Sequence, residues 1–413
     1  MILVGLLCDA RPDYIDLDGL NPFLRYGCTQ PSRSQQSGMT EISSKDAIAQ
    51  DFARDVWCLC GLPVDNLSMA SCKNLLRVKA RQPTSGVLAT INVNWVVQSF
   101  ADPSFRTAIL NSDLVSLDGR PLLWLAKLLG YPMTEVVAGS SLIQELHQEK
   151  NTSQPLSIFF FGGDEGAAEL AQAQVNIRQG GLRAVGALNP GFGTVAEMSS
   201  DAIIAAINKA VPDILLVALG AKNGTRWIEH NRHRLNARVI SHLGATINFV
   251  AGTVQRAPGL VQSIGLEWAW RILQEPKLFR RYAVDGLVLL RLLAVRFFLW
   301  RQYLAWQKRF RQVQIDDSVD VLEGNHGITL SFGRNLQIQK DSSVRRVFID
   351  GVSSCKDMTL DFQQTEFVDG AFVGLLLLLV KHQKRNGKKL AFVNVHGRLA
   401  ALFELFCFRE FIH

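Results

Sequence analysis

No apolar run in this 413-residue chain reaches the roughly 20 residues that a bilayer-spanning helix needs. The run at 371–380 is too short, and the one at 287–300 is interrupted by Arg291 and Arg296. The opening stretch does not read as a secretory leader: its apolar part, 2–7, has no basic prefix and runs into Asp9, Arg11 and Asp13. These features predict a protein kept in the cytoplasm. Cysteine is scarce and odd in number: Cys8, Cys28, Cys58, Cys60, Cys72, Cys355 and Cys407. A disulfide framework is therefore not expected, and buried thiols in a reducing compartment are. Cys58 and Cys60 have no second ligand pair, and no Asp-x-Asp motif stands where it would hold a cation. Neither a metal nor another cofactor is expected.

What is present is positive charge. Lysine and arginine outnumber the acids 44 to 37, for a net charge of +7. Such a balance suits nucleic acid, a phosphate-bearing substrate or an anionic membrane surface. No nucleic-acid motif accompanies it, and the basic residues gather at 271–311, so diphosphates and lipid headgroups are favoured. The length allows two or three domains. Residues 1–52 show no steady period, and the polar part TQPSRSQQSGMTEISS (29–44) predicts disorder.

From Asp55 the pattern becomes α/β. VWCLCGLPVDNLSMASCKNLL reads as a strand, a Gly-Pro turn and a helix. GVLATIN is a buried strand ending at Thr90, Ile91 and Asn92, followed by helix to about 110. Residues 114–117 are strand-like before Asp118-Gly119, and another helix runs to 129. SIFFFGGDEGAAELAQAQV is a strand–loop–helix unit. Its glycines 162, 163 and 166 sit where a helix N-terminus faces a phosphate, although any tight strand-to-helix turn calls for glycine. DILLVALG is apolar enough for a strand buried on both faces. This alternation predicts an α/β fold with a doubly wound, Rossmann-like parallel sheet and ligands at the carboxyl ends of its strands. Thr90, Asp118, Gly162, Gly220 and Asn248 all fall at or just after expected strand ends. Asp118 is the candidate general base, since burial there would raise its pKa toward a useful range. Taken by itself, an Asp-Gly pair is more often just a turn.

The stretch 243–282, LGATINFVAGTVQRAPGLVQSIGLEWAWRILQEPKLFRRY, reads as a short strand, a turn at Gly252 and a helix from Pro258. Leu260, Ile264, Trp268 and Ile272 recur at helical spacing, and Glu267 and Arg271 are four apart, close enough to pair. Lys277, Arg280 and Arg281 follow. An amphipathic helix with a solvated basic tail accounts for this equally well. From 283 to 312 the pattern stays helical, apolar and basic, fit for a membrane interface or for packing on the protein itself.

RAP followed by GLEWAWRILQEPKLFRRY resembles the C-terminal signature of the WecG/TagA/CpsF glycosyltransferases. The resemblance extends over roughly 55–281, with G-x-P-V-D-N-L at its start. It implies transfer of a sugar from a UDP-sugar to a polyprenyl-diphosphate-linked saccharide, at the cytoplasmic face of a membrane and without a metal. Carried over residue by residue, it implies Asp118 as catalytic aspartate, Thr90 and Asn92 at the substrate, and Arg271 and Arg281 in an appendage that closes over the site. Gly139, Gly162, Gly163, Gly220, Asn248 and Arg256 are further substrate-binding candidates. The chain also departs from the family. G-x-P-K-Q-E-x-W becomes Gly220-Ala221-Lys222-Asn223-Gly224-Thr225-Arg226-Trp227, a strand-end aspartate becomes Asn248, another becomes Ser141, and the arginine of E-P-x-R is Leu278. An altered donor is one explanation. The other is an inactive scaffold that binds nucleotide sugar or glycolipid.

The division expected is 1–52, a disordered N-terminal segment; 53–255, the transferase domain; 256–312, a basic helical appendage; 313–326, a linker; and 327–413, a small α/β domain. In the last, strands are expected near 328–332, 335–339, 345–349, TLDF and KLAFVNV, with helices at 370–384 and after Gly397. LDFQQTEFVDGAFVGLLLLLVKHQKRNGKKLAFVNV resembles a STAS domain. That family's regulatory serine follows the aspartate of D-S-S-G, whereas here Asp369 precedes Gly370, Ala371 and Phe372. The resemblance therefore implies no phosphoswitch, and leaves docking of a protein partner or a purely structural role.

Overall fold

The computed structural model describes residues 44–150, 154–178, 180–263, 265–324 and 327–412. Most of the N-terminal segment expected to be disordered lies outside these. Its last part, Ser44–Phe52, is helix rather than disordered coil. The reason is tertiary: Phe52 is fully buried, edge-on to Phe348 at 5.8 Å and stacked on His382 at 5.5 Å.

Strands β1 (Val56–Leu59) and β2 (Leu62–Asp65) form an antiparallel hairpin. The turn is Cys60-Gly61, not the expected Gly-Pro pair, and both residues have positive φ (51° and 72°). That is the primed geometry which matches strand twist, and Gly61 supplies the harder half of it. Pro63 lies inside β2.

Six strands then build the expected parallel sheet: β3 (Gly86–Ile91), β4 (Leu114–Leu117), β5 (Leu156–Gly162), β6 (Leu182–Leu188), β7 (Ile214–Ala218) and β8 (Val239–His242). Their order is β4-β3-β8-β7-β5-β6. β3, β5, β7 and β8 are buried along their whole length, as strands covered by helices on both faces must be. The chain leaves β3 and β4 on one side and returns through β5–β7 on the other, so the order reverses around β8 and a crevice opens at that edge.

Residues 243–250 do not continue as strand. β8 stops at His242, and Thr246–Ala251 is a helix ended by Gly252. The expected single amphipathic helix is also broken, into Gly259–Ser263 and Glu267–Gln274, with Gly265 at φ 79° between them. A helix of 34 residues follows, Leu278–Arg311, about 50 Å long. One face packs on the protein: Trp300 Nε1 donates to the Leu128 carbonyl (3.0 Å), and Tyr303 and Phe310 are buried. The other leaves Phe279, Leu287, Leu290, Val295 and Phe298 exposed beside Arg280, Arg291 and Arg301. No helix among the described residues is long and apolar enough to cross a membrane.

The C-terminal unit has strands β9 (Val319–Glu323), β10 (Gly327–Phe332), β11 (Asn335–Leu336), β12 (Asp357–Asp361), β13 (Phe367–Val368) and β14 (Leu390–Val393). The main sheet runs β14-β12-β10-β9, parallel except for β9, and β11 pairs with β13. Residues 345–349, read as strand, belong to the helix Ser343–Ser353; their β-branched and aromatic side chains fill one buried helical face through Val344, Phe348 and Val352. Helices Gly370–Arg385 and Gly397–Leu405 fall where expected.

This unit does not stand apart from the first. One apolar cluster runs from Phe52, Trp95 and Phe105 through Leu125 and Tyr303 into Leu330, Phe372 and Phe403. The helix Gly370–Arg385 is buried over most of its length, because it lies against the hairpin. A Cβ on Gly374 would stand 2.7 Å from the Val56 carbonyl oxygen, and one on Gly370 would strike the Tyr131 hydroxyl. Lys381 Nζ, fully buried, reaches Asp51 (2.8 Å) and the Ser112 carbonyl (3.1 Å). Desolvation pulls the Asp51 carboxyl up, but Lys381, Arg54 and His382 outweigh it and hold it well below the usual range. Lys381→Ala leaves that carboxylate buried with less compensation, and should cost about 3–5 kcal/mol. Urea unfolding followed by both tryptophan fluorescence and circular dichroism should show the loss in one shared transition.

Candidate functional site

Asp118 follows β4 directly, and its backbone N–H donates to the Ile91 carbonyl (2.7 Å), which sets it beside the end of β3. Thr90 pairs in register with Ser116 and is buried. Asn92 caps the next helix, its Oδ1 accepting from Trp95 N (3.2 Å). Its side chain is therefore engaged in local structure.

Above Asp118 lies the segment after Gly252. Arg256 donates from Nη2 to Ser141 Oγ (2.8 Å) and from Nη1 to Gln144, and approaches Glu267 (3.9 Å). Arg271 pairs with Glu275 (3.0 Å), while Glu267 approaches Arg256 (3.9 Å). Both guanidiniums lie over the Phe249 ring, at 6.0 and 5.5 Å. The aromatic face orients two like charges that would otherwise diverge. Arg271 Nε is buried and has no hydrogen-bond partner among the described residues.

These charges act on Asp118. Burial, reinforced by Glu267, pushes its carboxyl up to about 7, while Arg256 and Arg271 pull the other way. Among the described residues no side chain hydrogen-bonds it. A carboxylate with that pKa is half ionised near neutrality, where a general base works best.

A second group lies across the crevice. Gly162 and Gly163 end β5 with φ of 89° and 92°, a turn only glycine takes without strain. It aims Gly163 N at the Ala218 carbonyl (2.8 Å) and leads to Asp164. Asn248 Nδ2 donates to Asp164 (2.7 Å), while its Oδ1 is buried and unpaired. Asn189 Nδ2 reaches the Gly163 carbonyl at 3.3 Å. Asn248 is thus in the crevice as expected, but on the helix Thr246–Ala251 and not at a strand end. Gly220 precedes the helix Ala221–Asn231 with open space on its side-chain face.

Two expected residues are placed otherwise. Gly139 packs beneath Leu243, whose side chain would collide with a Cβ there. Arg281 is exposed, stacked on Tyr282 (5.1 Å), and acts on Asp285. Gln144, Phe249, Asp164 and Asn189 were not singled out from sequence, and Glu267 was read only as a helix-pairing residue. Only Glu267 carried a signal, its spacing from Arg271, and that spacing pointed to the wrong partner. His242, at the end of β8, was missed altogether; burial pushes its pKa down to about 4, so it is neutral, and its Nε2 has no partner among the described residues.

A doubly wound sheet with a strand-end carboxylate facing paired guanidiniums is an architecture for transferring a group from a phosphate-bearing donor. The family model described as Glycosyl transferase WecG/TagA/CpsF family matches residues 57–303, more than half of the chain, and the chain belongs to that family. It is a glycosyltransferase, and residues 307–413 match the STAS domain. An N-acetylglucosaminyldiphosphoundecaprenol N-acetyl-beta-D-mannosaminyltransferase of Bacillus spizizenii is 26% identical over 200 residues, 48% of this chain and 76% of that protein. The Bacillus subtilis protein of the same name is 22% identical over 200 residues, with the same shares covered.

The opposing charges give a signed expectation. Arg271→Ala removes a cation and should move the Asp118 titration above about 7, whereas Glu267→Gln removes an anion and should move it below. The Asp118 carboxyl carbon shift, followed by NMR across pH, reads both directly.

Proposed function

We propose that the protein is an inverting transferase that takes a sugar from a UDP-sugar and joins it to a polyprenyl-diphosphate-linked saccharide, in envelope or exopolysaccharide synthesis. The observation that carries this is Asp118, held near neutrality opposite Arg256 and Arg271. In this reading Asp118 takes the proton of the acceptor hydroxyl as that oxygen attacks the anomeric carbon, and the bond to the departing UDP breaks on the opposite face. Arg256 and Arg271 receive the charge that builds on the leaving diphosphate, since arginine's planar fork fits phosphate oxygens. The unpaired Arg271 Nε and Asn248 Oδ1 are a donor and an acceptor ready for a ligand. Thr90, Asn92, Gly162, Gly163 and Gly220 would line the bound substrates. Arg281, on the exposed appendage, would meet phosphate only at the membrane.

The departures from the family favour an altered donor. Gly224 meets the His242 ring so closely that no side chain fits, and Thr225 Oγ1 bonds back to the Ala221 carbonyl (2.7 Å). The crevice wall at these positions is closed by packing rather than left with a hole. An inactive scaffold that reports to a partner through its STAS domain is opposed by the burial of the helix Gly370–Arg385. The exposed apolar row on the helix Leu278–Arg311, flanked by arginines, supports a peripheral site on an anionic cytoplasmic membrane face.

UDP release from a panel of UDP-sugars, with a prenyl-diphosphate sugar as acceptor, tests the reading. Acceptor-dependent release should fall about 10²–10⁴-fold in kcat in Asp118→Asn, and equal rates would remove Asp118 as base. The wild-type rate should rise with pH through about 7, because only the deprotonated carboxylate accepts the proton. In a chelator titration turnover should persist, the arginines filling the role a cation plays elsewhere; strict dependence on Mg²⁺ or Mn²⁺ would sink that part.

A further inference from the structure

We infer that a cavity between the two domains receives part of the prenyl chain of the lipid-linked acceptor. The inference rests on the transferase reading above for the identity of the lipid. The cavity measures about 240 Å³. Three walls form it: Leu125 and Leu128 from the helix Arg120–Leu128, Leu293 and Phe297 from the helix Leu278–Arg311, and Phe406 from the C-terminal domain. Its lining is apolar apart from Arg296, whose Nε donates to the Glu404 carbonyl (3.2 Å) and whose Nη2 approaches the Glu404 carboxylate (3.5 Å). The guanidinium is thereby tied to the C-terminal helix.

An apolar space of this size is a binding site by its chemistry. Water needs two to four polar partners to occupy a cavity, and this one offers almost none, whereas a dry cavity of about 150 Å³ already accepts benzene. Close packing is the rule in protein interiors, so a void this large between well-packed domains calls for an occupant. Leu128 (42% exposed) and Phe297 (54% exposed) stand at its mouth, continuous with Leu290, Val295 and Phe298 on the outer face of the long helix. The opening therefore faces the side proposed to lie on the membrane, and a hydrocarbon chain enters without crossing water.

The helix Arg120–Leu128 selects the prenyl chain over the acyl chain of a bulk phospholipid. It starts two residues after Asp118, and its last turn is the cavity wall. Its two ends are about 12 Å apart at 1.5 Å per residue. A lipid whose diphosphate lies near Asp118 has its chain directed along this helix into the cavity. A phospholipid headgroup has no such tether.

The test uses the full-length protein and two photoreactive probes, a diazirine-bearing prenyl-diphosphate sugar and a diazirine-acyl phosphatidylglycerol in vesicles, with mass-spectrometric mapping of the labelled peptides. The prenyl probe should label the segments around Leu293–Phe297 and Phe406, and unlabelled prenyl-diphosphate sugar should compete. Labelling confined to the outer row around Leu287–Leu290 would overturn the proposal. So would phosphatidylglycerol labelling of the cavity that survives competition. As a second measurement, KM for a long-chain acceptor should lie about tenfold or more below that for a two-isoprenyl one, since each buried methylene adds to binding. Leu128→Trp, which blocks the mouth at a part-exposed position, should collapse that ratio toward one; a ratio unchanged in a variant with wild-type melting would overturn the assignment. Cavity labelling with no UDP release from any acceptor would sink the transferase reading and leave the prenyl site standing.

Discussion

The arrangement depends on one buried carboxylate. Asp51, on the first described helix, is met by Arg54 from its own segment (2.6 Å) and by Lys381 and His382 from the C-terminal domain (2.8 and 2.9 Å). Arg54 turns its other edge to Asp65 at the end of the hairpin (2.8 Å), and Asp65 accepts from Val115 N at the start of β4 (2.6 Å). A chain of charge thus runs from the C-terminal helix through the N-terminal one to the strand that ends at Asp118. None of these charges is stable in isolation in the interior, so each fixes where the others stand. With that register set, the shared apolar cluster holds the hairpin, the helix Arg120–Leu128 and the long helix in one frame.

Much of this was legible in the residues. The parallel sheet followed from fully apolar runs bounded by glycine, and such runs are reliable because two-sided burial leaves little room for alternatives. The expected place of Asp118, just after a strand of that sheet, is where the structure has it, because the strand's apolar run marks its own end. The errors share a cause. Residues 345–349 and 246–250 carry β-branched and aromatic side chains that suit strands, yet lie in helices, because short runs of that kind do not declare their period. Ser44–Phe52 looks like the polar tail before it, and only Phe348 and His382, some 300 residues away in sequence, make it ordered. The Glu267–Arg271 pair did not form although both lie on one helix: Arg271 pairs one turn further on with Glu275, and Glu267 approaches Arg256, which spacing on that helix could not reveal.

The site itself carries a cost that the frame offsets. Holding Asp118 near 7, about three pKa units above its ordinary value, makes its ionised form more costly in the fold by on the order of 4 kcal/mol. The sign follows from the raised pKa: the folded state favours the protonated acid, so this group's support for folding is complete at low pH and gone once pH rises through about 7. Asp369, pushed to about 7 chiefly by burial although it accepts from Phe372 and Ile338 N–H, works in the same direction. Asp51 is the counterweight, since its depressed pKa contributes stability above the usual carboxylate range. The molecule thus gains from ionised Asp51 at the domain junction at the pH where ionised Asp118 is most expensive.

The same junction explains what became of the C-terminal domain. At the position after Asp369, where a STAS domain carries its regulatory serine, Gly370 lies under the Tyr131 hydroxyl, which donates to the Cys58 carbonyl (2.5 Å). Any side chain there would drive the tyrosine out and expose the hairpin, so the site excludes a phosphoserine on steric grounds before charge is considered. The helix Gly370–Arg385 is apolar all round as far as Val380, and Lys381, His382 and Gln383 beyond it are buried as well, the pattern of a helix covered on most sides. Arg385 completes the contact by donating to the Asn111 carbonyl (3.0 Å). At this junction the domain supplies Lys381 and His382 to the buried network and Phe406 and Cys407 to the apolar cavity, while its outer strand β9 stays exposed.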